Sequence, residues 1–336
     1  MIACYIIKPG VLELREVPVP EPGRGELLVK IGSALTCGTD LKAFLRGHPL
    51  IPMPGPFGHE FSGTVAKVGI GVDKFKEGEE IMAVHTAPCL KCKYCGKKAF
   101  NLCESIMASK ILGAYAEYIL LPSHIVQQNV YHKPANINFA EAALLEPLSC
   151  VVHGLNNQEI KNSLCLIIGA GPIGLLHLLL LKLGGAKVII TGLEQERLEI
   201  AKKMGADMVI TPSNIDETIE SFSDGIGVDF VFECTGQLAV WERSIKYVRR
   251  GGKIILFGGC KKDTIVTYDT CRLHYDEITI GGSFHFNPED VRTAQTLLKG
   301  NLNLSLLISG SYPLKDITIP FERLSRGEGL KYAIIP

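Results

Sequence analysis

The sequence predicts an α/β protein of two domains, one built on a doubly wound parallel sheet and one irregular and mostly β. The chain has 336 residues, which is long for a single domain. Up to about residue 150 it is rich in glycine, proline and short β-type runs. From about Asn162 strand-like and helical runs alternate, which is the pattern of a parallel sheet covered by helices.

Three runs in the first region have the composition of strands: residues 27–31, 60–68 and 117–121. Turn-forming pairs separate such runs, at Pro22-Gly23, Pro54-Gly55 and Glu77-Gly78. The region therefore reads as an irregular domain with short strands.

In the second region, strand-like runs alternate with helical runs along the chain. Strands are expected at 164–168, 187–191, 208–210, 229–233 and 253–257, and helices at 173–183, 195–204 and 238–248. A further helix is expected at 289–299. On pattern alone, this tail could belong to either domain.

Composition excludes several classes of protein. Apolar residues make up 46% and charged residues 21%, as in a globular protein with a large core. Basic and acidic residues number 35 each, so no basic excess favours nucleic acid or anionic membranes. Four of the eleven cysteines are clustered, which favours a metal over disulfides. The first 22 residues lack the pattern of a signal peptide, and we expect a cytoplasmic protein.

Residues 164–183 are almost entirely apolar and long enough to cross a bilayer. However, Gly169, Gly171, Pro172 and Gly174 interrupt the run after its first five residues. A buried strand, a glycine turn and a buried helix fit this stretch better than a membrane span.

The sequence GAGPIG at 169–174 matches the dinucleotide-binding pattern between a strand and a helix. Gly169 would permit the tight turn, Gly171 the approach of a pyrophosphate, and Gly174 close packing of helix and strand. The start of the helix, with Pro172 and Ile173, would face the phosphates. The alternative is a glycine-rich turn without a ligand.

An acidic residue usually ends the next strand and binds the ribose 2′-hydroxyl. Here Gly192 stands at that place, which would leave room for a 2′-phosphate with Arg197 as its partner. Glu194 and Glu196 would repel such a phosphate. The choice between NAD and NADP therefore stays open.

Four cysteines follow one another at metal-binding spacing: Cys89, Cys92, Cys95 and Cys103. Four thiolates can surround Zn²⁺ as a closed structural site. Lysines at 91, 93, 97 and 98 could offset the charge. An iron–sulfur cluster is the rival assignment.

A more dispersed set consists of Cys37, His59, Glu60 and Glu146. His59 alone would more often be a core histidine, and Glu146 alone a surface acid. Together, one sulfur, one nitrogen and two carboxylate ligands suit a catalytic zinc.

These motifs resemble those of the zinc-dependent medium-chain alcohol dehydrogenases, in the branch of the polyol (sorbitol, L-iditol) and L-threonine dehydrogenases. The matching segments are CGTD at 37–40, GHEFSG at 58–63, the four-cysteine lobe, AEY at 116–118, EPLS at 146–149, GAGPIG at 169–174, ECTG at 233–236, GG at 251–252 and GEGLK at 327–331. The resemblance covers essentially the whole chain. It implies a GroES-like catalytic domain at 1–150, a Rossmann cofactor domain at 151–286 and a return to the catalytic domain at 287–336.

The resemblance also implies roles for individual residues. Cys37, His59 and Glu60 would ligate a catalytic zinc that acts as a Lewis acid, and Glu146 would be a fourth ligand or bond water at the metal. Thr39 would relay the proton of the alcohol. Around the cofactor the expected residues are Cys150 and Ile173 behind the nicotinamide, Thr235 near the ribose, and His285, which could equally be a surface histidine.

Two departures from the family pattern concern the substrate. Lys42 stands where relatives often place a histidine, and the loop between Cys103 and Tyr115 is short. Lys42 could pair with an anionic substrate or a cofactor phosphate, or relay protons if burial lowers its pKa. We favour the first.

Two other classes of protein share parts of this pattern. A zinc-free quinone or enone reductase should lack Cys37, His59 and Glu60. A non-redox zinc-ribbon protein would need only the four-cysteine lobe. The expected enzyme uses two zinc ions per chain and NAD or NADP, acts on a small alcohol or ketone, and forms a homo-dimer or homo-tetramer. Its substrate stays open among polyols, sugars, threonine, sugar acids and phosphorylated polyols.

Overall fold

The computed structural model describes residues 1–336 and divides into two compact units. The first unit contains residues 1–150 and 286–336, and the second contains residues 151–285. The predicted class is confirmed: an α/β protein with an irregular β unit and a doubly wound parallel unit.

The first unit contains most of the short strands. They are β1 (Ile2–Lys8), β2 (Val11–Glu16), β3 (Leu27–Leu35), β4 (Gly55–Pro56), β5 (Glu60–Val68), β6 (Glu80–Ala83), β7 (Tyr118–Leu121) and β8 (Val130–His132). Its helices up to the boundary are α1 (Gly38–Arg46), α2 (Lys93–Gly96), α3 (Ser123–Asn129), α4 (Phe139–Ala142) and α5 (Leu145–Leu155), the last of which continues into the second unit.

The second unit alternates strands with helices. The strands are β9 (Leu164–Ile168), β10 (Lys187–Thr191), β11 (Met208–Ile210), β12 (Val228–Glu233), β13 (Val248–Leu256) and β14 (Thr279–Gly282). The helices are α6 (Pro172–Leu183), α7 (Gln195–Lys203), α8 (Ile215–Phe222), α9 (Leu238–Arg243) and α10 (Thr270–Tyr275). The chain then returns to the first unit with α11 (Pro288–Leu298), β15 (Ile308–Pro313), α12 (Thr318–Ser325) and β16 (Lys331–Ile335).

Two sheets form the first unit. A three-stranded antiparallel sheet has the order β2-β1-β4, and a seven-stranded sheet has the order β15-β16-β3-β5-β6-β8 with β7 also pairing with β3. β16 runs antiparallel to β3, with Ala333 opposite Leu35. This pairing brings the last strand of the chain beside the segment that leads into Cys37.

The second unit is a six-stranded sheet in the order β11-β10-β9-β12-β13-β14, with all neighbours parallel. The order reverses between β9 and β12, and ligands of such sheets bind outside the carboxyl ends of the strands at this point. The glycine turn at 169–171 follows β9 there.

The elements of the second unit differ from prediction in several places. The expected helix at 238–248 ends early, because α9 stops at Arg243 and Val248 already pairs with Val228 in the sheet. α8, α10 and β14 were not predicted, and β13 begins at Val248 and not at residue 253. None of the helices combines the length and apolar character needed to cross a membrane.

Candidate catalytic metal centre and dinucleotide-binding turn

Three of the predicted zinc ligands, Cys37, His59 and Glu60, lie together in the first unit. Cys37 precedes α1, and its Sγ accepts a hydrogen bond from the backbone N–H of Thr39 at 3.4 Å. His59 directly precedes β5, and Glu60 is its first residue, which pairs with Leu35 at the end of β3. The ligand atoms of the three residues all lie within 4.8 Å of one another. A thiolate, an imidazole and a carboxylate at such separations suit tetrahedral zinc with an open position.

A buried carboxylate faces His59. Nδ1 of His59 lies 3.1 Å from Oδ1 of Asp40, which has no exposure to solvent. This contact leaves Nε2 for a metal, as in most metal-binding histidines. Burial opposes protonation of the ring, but the charges of Asp40 and Cys37 outweigh it and raise the pKa of His59. A divalent cation would take the place of that proton.

Glu60 also forms an ion pair with Lys331, a residue close to the end of the chain. Nζ of Lys331 donates to both oxygens of Glu60, at 2.8 and 2.5 Å, and to the carbonyl oxygen of Thr36 at 3.0 Å. Both side chains are buried. Burial disfavours the ammonium, but the charges of Glu60 and Cys37 raise the pKa of Lys331 above its usual value. Lys331 therefore neutralises a carboxylate that faces the candidate metal site.

Glu146 lies next to this cluster but is not part of it. Its Oε1 is 3.6 Å from Nδ1 of His85 and 3.7 Å from Sγ of Cys150. The ring of His85 is in turn 4.9 Å from the ring of His59. Burial raises the pKa of Glu146 to about 7. Direct ligation of a metal by Glu146 stays a prediction.

Thr39 and Lys42, the predicted proton-transfer residues, both lie on α1 and are half-buried. The hydrogen bond of the Thr39 backbone to Cys37 fixes Thr39 beside a ligand thiol. Burial and then the charge of Lys42 lower the pKa of His48, in the segment after α1.

Backbone N–H groups within the four-cysteine lobe donate hydrogen bonds to its own cysteine sulfurs. The sulfur atoms of its four cysteines lie within 4.8 Å of one another. The backbone N–H of Cys89 donates to Sγ of Cys103 at 3.3 Å. Hydrogen bonds from backbone N–H groups, that of Lys91 first, lower the pKa of Cys89 to about 6. Burial raises the pKa of Cys95 to about 12. The four lysines of the lobe are exposed, so nearby amides rather than lysines favour thiolates here.

The glycines of the turn after β9 have distinct surroundings in the second unit. Gly169 has φ +114°, a conformation that L side chains rarely adopt. A Cβ on Gly171 would meet nothing within 4 Å, whereas a Cβ on Gly174 would collide with the carbonyl oxygen of Gly169. No side chain caps the N-terminus of α6, which begins at Pro172. The turn thus presents free amide groups and open space, which suits a phosphate.

Thr235 lies beside the same turn. Its Cγ2 would be 3.0 Å from a Cβ on Gly169. The carboxylate of Glu233 binds the hydroxyl of Thr235 and also its backbone N–H, the latter at 2.7 Å. Oε2 of Glu233 accepts from Nε1 of Trp241 at 2.8 Å. Glu233 therefore holds Thr235 next to the glycine turn.

That Gly192 leaves room for a 2′-phosphate stays a prediction, and the structure adds a second reason for glycine at this position. Gly192 is buried, and a Cβ there would lie 2.7 Å from Cβ of Ala170. The missing side chain serves close packing under the glycine turn. Arg197 lies five residues farther along the chain, and its Nη1 is 3.7 Å from Oε2 of Glu194.

The other predicted cofactor residues are distributed over both units. Ile173 is half-buried in the first turn of α6. Cys150 is the last residue of the first stretch of the first unit, and His285 ends the second unit with φ +63°. Their contacts with a cofactor stay predictions.

Four residues of the first unit were not assigned roles from the sequence: Asp40, His85, Tyr115 and Lys331. Asp40 and Lys331 lie inside segments that matched the family, CGTD and GEGLK. No sequence signal distinguished His85 or Tyr115, because each joins the site through contacts between distant segments.

Comparison with known proteins identifies both units. The sequence profile of the alcohol dehydrogenase GroES-like domain matches residues 23–132, and that of the zinc-binding dehydrogenase domain matches residues 172–300. The chain is 31% identical to a sorbitol dehydrogenase of Halalkalibacterium halodurans, over 97% of this chain and 96% of the relative. It is 32% identical to a D-arabitol-phosphate dehydrogenase of Enterococcus avium, over 95% and 92% of the two chains.

A solved structure shows the same fold over the full length. It is described as a zinc-binding dehydrogenase of Sinorhizobium meliloti 1021 bound to NADP, with a TM-score of 0.89 and 29% identity. The match covers 100% of this chain and 99% of that one.

Proposed function

Because the chain belongs to the zinc-dependent medium-chain alcohol dehydrogenases, in the branch of the polyol and L-threonine dehydrogenases, we propose that it transfers hydride reversibly between a secondary alcohol and NAD or NADP. The observation that carries this proposal is the Cys37–His59–Glu60 cluster, with its ligand atoms within 4.8 Å of one another. The relatives support redox chemistry and not the alternative of a non-redox zinc-ribbon protein.

In this proposal the first unit is the catalytic domain. Cys37, His59 and Glu60 hold the zinc ion, which acts as a Lewis acid toward the substrate oxygen when bound. Asp40 holds the ring of His59 with Nδ1 turned away from the metal. Lys331 balances the charge of Glu60, so the set carries less negative charge than its ligands alone would give.

Proton movement is assigned to α1. The hydroxyl of Thr39 relays the proton of the substrate alcohol: it takes up that proton while it passes its own to solvent water, and the hydrogen bond from its backbone to Sγ of Cys37 holds it beside the metal position. Lys42, farther along the helix, pairs with an anionic group of substrate or cofactor. Glu146 acts from outside the ligand cluster, and its contact with His85 supports a bridge through water over direct ligation.

The second unit is the cofactor domain. Gly169, Gly171 and the uncapped start of α6 bind the pyrophosphate, and Thr235 contacts the ribose side of the cofactor. Arg197 is the group proposed to accept a 2′-phosphate, and its contact with Glu194 competes for it. We therefore expect both NAD and NADP to be accepted, as this arrangement rejects neither strongly.

Two further properties are part of the proposal. β14 ends the sheet, and its unpaired edge supports a homo-dimer formed by pairing of strands, or a tetramer of such dimers. Five of the eleven cysteines lie in the two candidate zinc clusters, and the use of cysteine as a metal ligand supports a reducing compartment, the cytoplasm.

The experiment is a panel of alcohols assayed at 340 nm with NAD⁺ and with NADP⁺. It should contain polyols, phosphorylated polyols, sugars, sugar acids and L-threonine, with primary alcohols of equal length as controls. We expect reduction of the cofactor with one class of secondary alcohol and little with the primary alcohols. A protein with its zinc sites loaded that binds NADH but oxidises no alcohol in the panel would contradict the proposed function.

A further inference from the structure

We propose that Tyr115 is a positioning residue for the metal ligand His59 and acts on it through Asp40. The inference rests on the proposed function only in that the cluster of Cys37, His59 and Glu60 must bind zinc. Its ligand is therefore the zinc ion, and its effect is on how tightly this one site holds the ion.

The three side chains form a continuous buried chain of contacts. The hydroxyl of Tyr115 donates to Oδ2 of Asp40 at 2.7 Å and lies 3.0 Å from the carbonyl oxygen of Leu35. The other carboxylate oxygen, Oδ1, faces Nδ1 of His59 at 3.1 Å. Tyr115 and Asp40 have no exposure to solvent. The two oxygens of one carboxylate are thus divided between the phenol and the imidazole.

The ring of Tyr115 is held from several sides. Its backbone N–H donates to the carbonyl oxygen of Phe57 at 3.0 Å. The ring packs edge-on against Phe57 at 5.3 Å and against Phe321 at 5.9 Å. It also lies against Gly58, where a Cβ would approach the ring to 2.7 Å and where φ is +92°. Gly58 directly precedes His59, so the phenol is fixed relative to the ligand that it supports.

The hydroxyl of Tyr115 supplies a hydrogen-bond donor to the buried carboxylate of Asp40. Burial raises the pKa of Tyr115, so the phenol stays protonated and serves as a donor. No water can replace this donor at a fully buried carboxylate, and a buried charged group without its hydrogen bond is costly. Without the phenol, the carboxylate of Asp40 loses the contact that holds Oδ1 toward His59. Outer partners of metal-binding histidines typically contribute about 10- to 100-fold to metal affinity.

The test compares zinc retention in wild type, Tyr115→Phe and Tyr131→Phe, measured by titration with a chromophoric chelator. Tyr131 is a matched control because its hydroxyl also donates within the first unit, to the carbonyl oxygen of Gln128 at 3.2 Å. In Tyr115→Phe one zinc should be lost about 10- to 100-fold more readily, while the zinc of the four-cysteine lobe stays unchanged. Tyr131→Phe should behave as wild type at both sites.

A second comparison separates positioning from a general loss of stability. In an Asp40→Asn background, which keeps the shape of the side chain, Tyr115→Phe should weaken zinc retention much less than in wild type. Equal losses in both backgrounds, or wild-type retention in Tyr115→Phe, would overturn the inference. Cys37→Ala separates a failure of the proposed metal site from a failure of the role assigned to Tyr115. If Cys37→Ala still binds as much zinc as wild type, the proposed metal site itself fails, whatever Tyr115→Phe does.

Discussion

The two candidate metal sites of the first unit are built in opposite ways. The four-cysteine lobe takes all its ligands from 15 consecutive positions, 89 to 103, and is closed by its own amide groups. The Cys37–His59–Glu60 centre takes ligands from two segments, and two of its three supporting groups, Tyr115 and Lys331, come from distant parts of the chain. Asp40 and Tyr115 stand behind His59, and Lys331 stands behind Glu60.

This difference indicates what each site can do. A closed set of four like ligands leaves no position for substrate, so the lobe is expected to stabilise the fold. The Cys37–His59–Glu60 centre, called the mixed centre below, has three ligands of different chemistry, each held by its own partner. Such a set can leave one coordination position of the metal open for substrate. The following predictions change one site at a time, from the largest expected effect to the smallest.

Loss of a ligand at the mixed centre should have the largest effect on activity. His59→Ala should lower kcat/KM at least about a thousandfold, because a Lewis-acid metal contributes several kcal/mol to the transition state. The free energy of unfolding should change much less than the activity, as measured by urea denaturation. Activity near that of wild type in this variant would contradict the assignment of His59.

Loss of a ligand at the lobe should instead act on stability. Cys92→Ser should lower the free energy of unfolding by roughly several kcal/mol, because a structural zinc contributes directly to folding. Activity per folded molecule, measured at low temperature, should stay close to that of wild type. If Cys92→Ser and His59→Ala lowered activity and unfolding free energy to the same extent, the assignment of a structural and a catalytic site would be wrong.

Loss of the buried ion pair between Lys331 and Glu60 should have the next largest effect, and this effect is on stability. Lys331→Met leaves a buried carboxylate unpaired, which should cost about 3–5 kcal/mol of unfolding free energy. The cost should be smaller with zinc bound, since the cation also faces Glu60, so unfolding is measured with and without zinc. Lys182→Met is the control: Lys182 pairs with the partly exposed Asp207 at 2.7 Å, and its loss should cost about 1 kcal/mol or less.

Lys42 should have the smallest effect. Lys42→Met should raise KM for an anionic substrate or for the cofactor about two- to fivefold, as expected for a half-exposed ion pair. The pH profile of the chemical step should stay the same, and Lys67→Met, at an exposed lysine, should change neither quantity. Unchanged KM values with loss of the basic limb of the profile would instead identify Lys42 as a proton relay.

The sequence predicted what lies in contiguous motifs. The strand before GAGPIG matches β9 at both ends, and the lobe cysteines come together as their spacing indicated. These features depend on local spacing, which a single sequence contains. The fold class was predictable for the same reason, since the alternation of strands and helices is local.

What the sequence did not predict depends on contacts between distant segments. Lys331 reaches Glu60 only because β16 pairs with β3, and Tyr115 reaches Asp40 across 75 positions. The place of Gly192 after a strand is visible in the sequence, but its close packing against Ala170 is not. α8 was missed for a different reason: Ile215, Ile219 and Phe222 recur at helical spacing, so the local signal was present in the sequence and was overlooked.

The central claim is that one chain holds two zinc ions in sites of different kinds, and the zinc content of purified protein tests it most directly. Elemental analysis should find about two zinc ions per chain in wild type and about one in folded Cys37→Ala, as the two ligand clusters require. Wild type with a single zinc, or Cys37→Ala with two, would contradict the account.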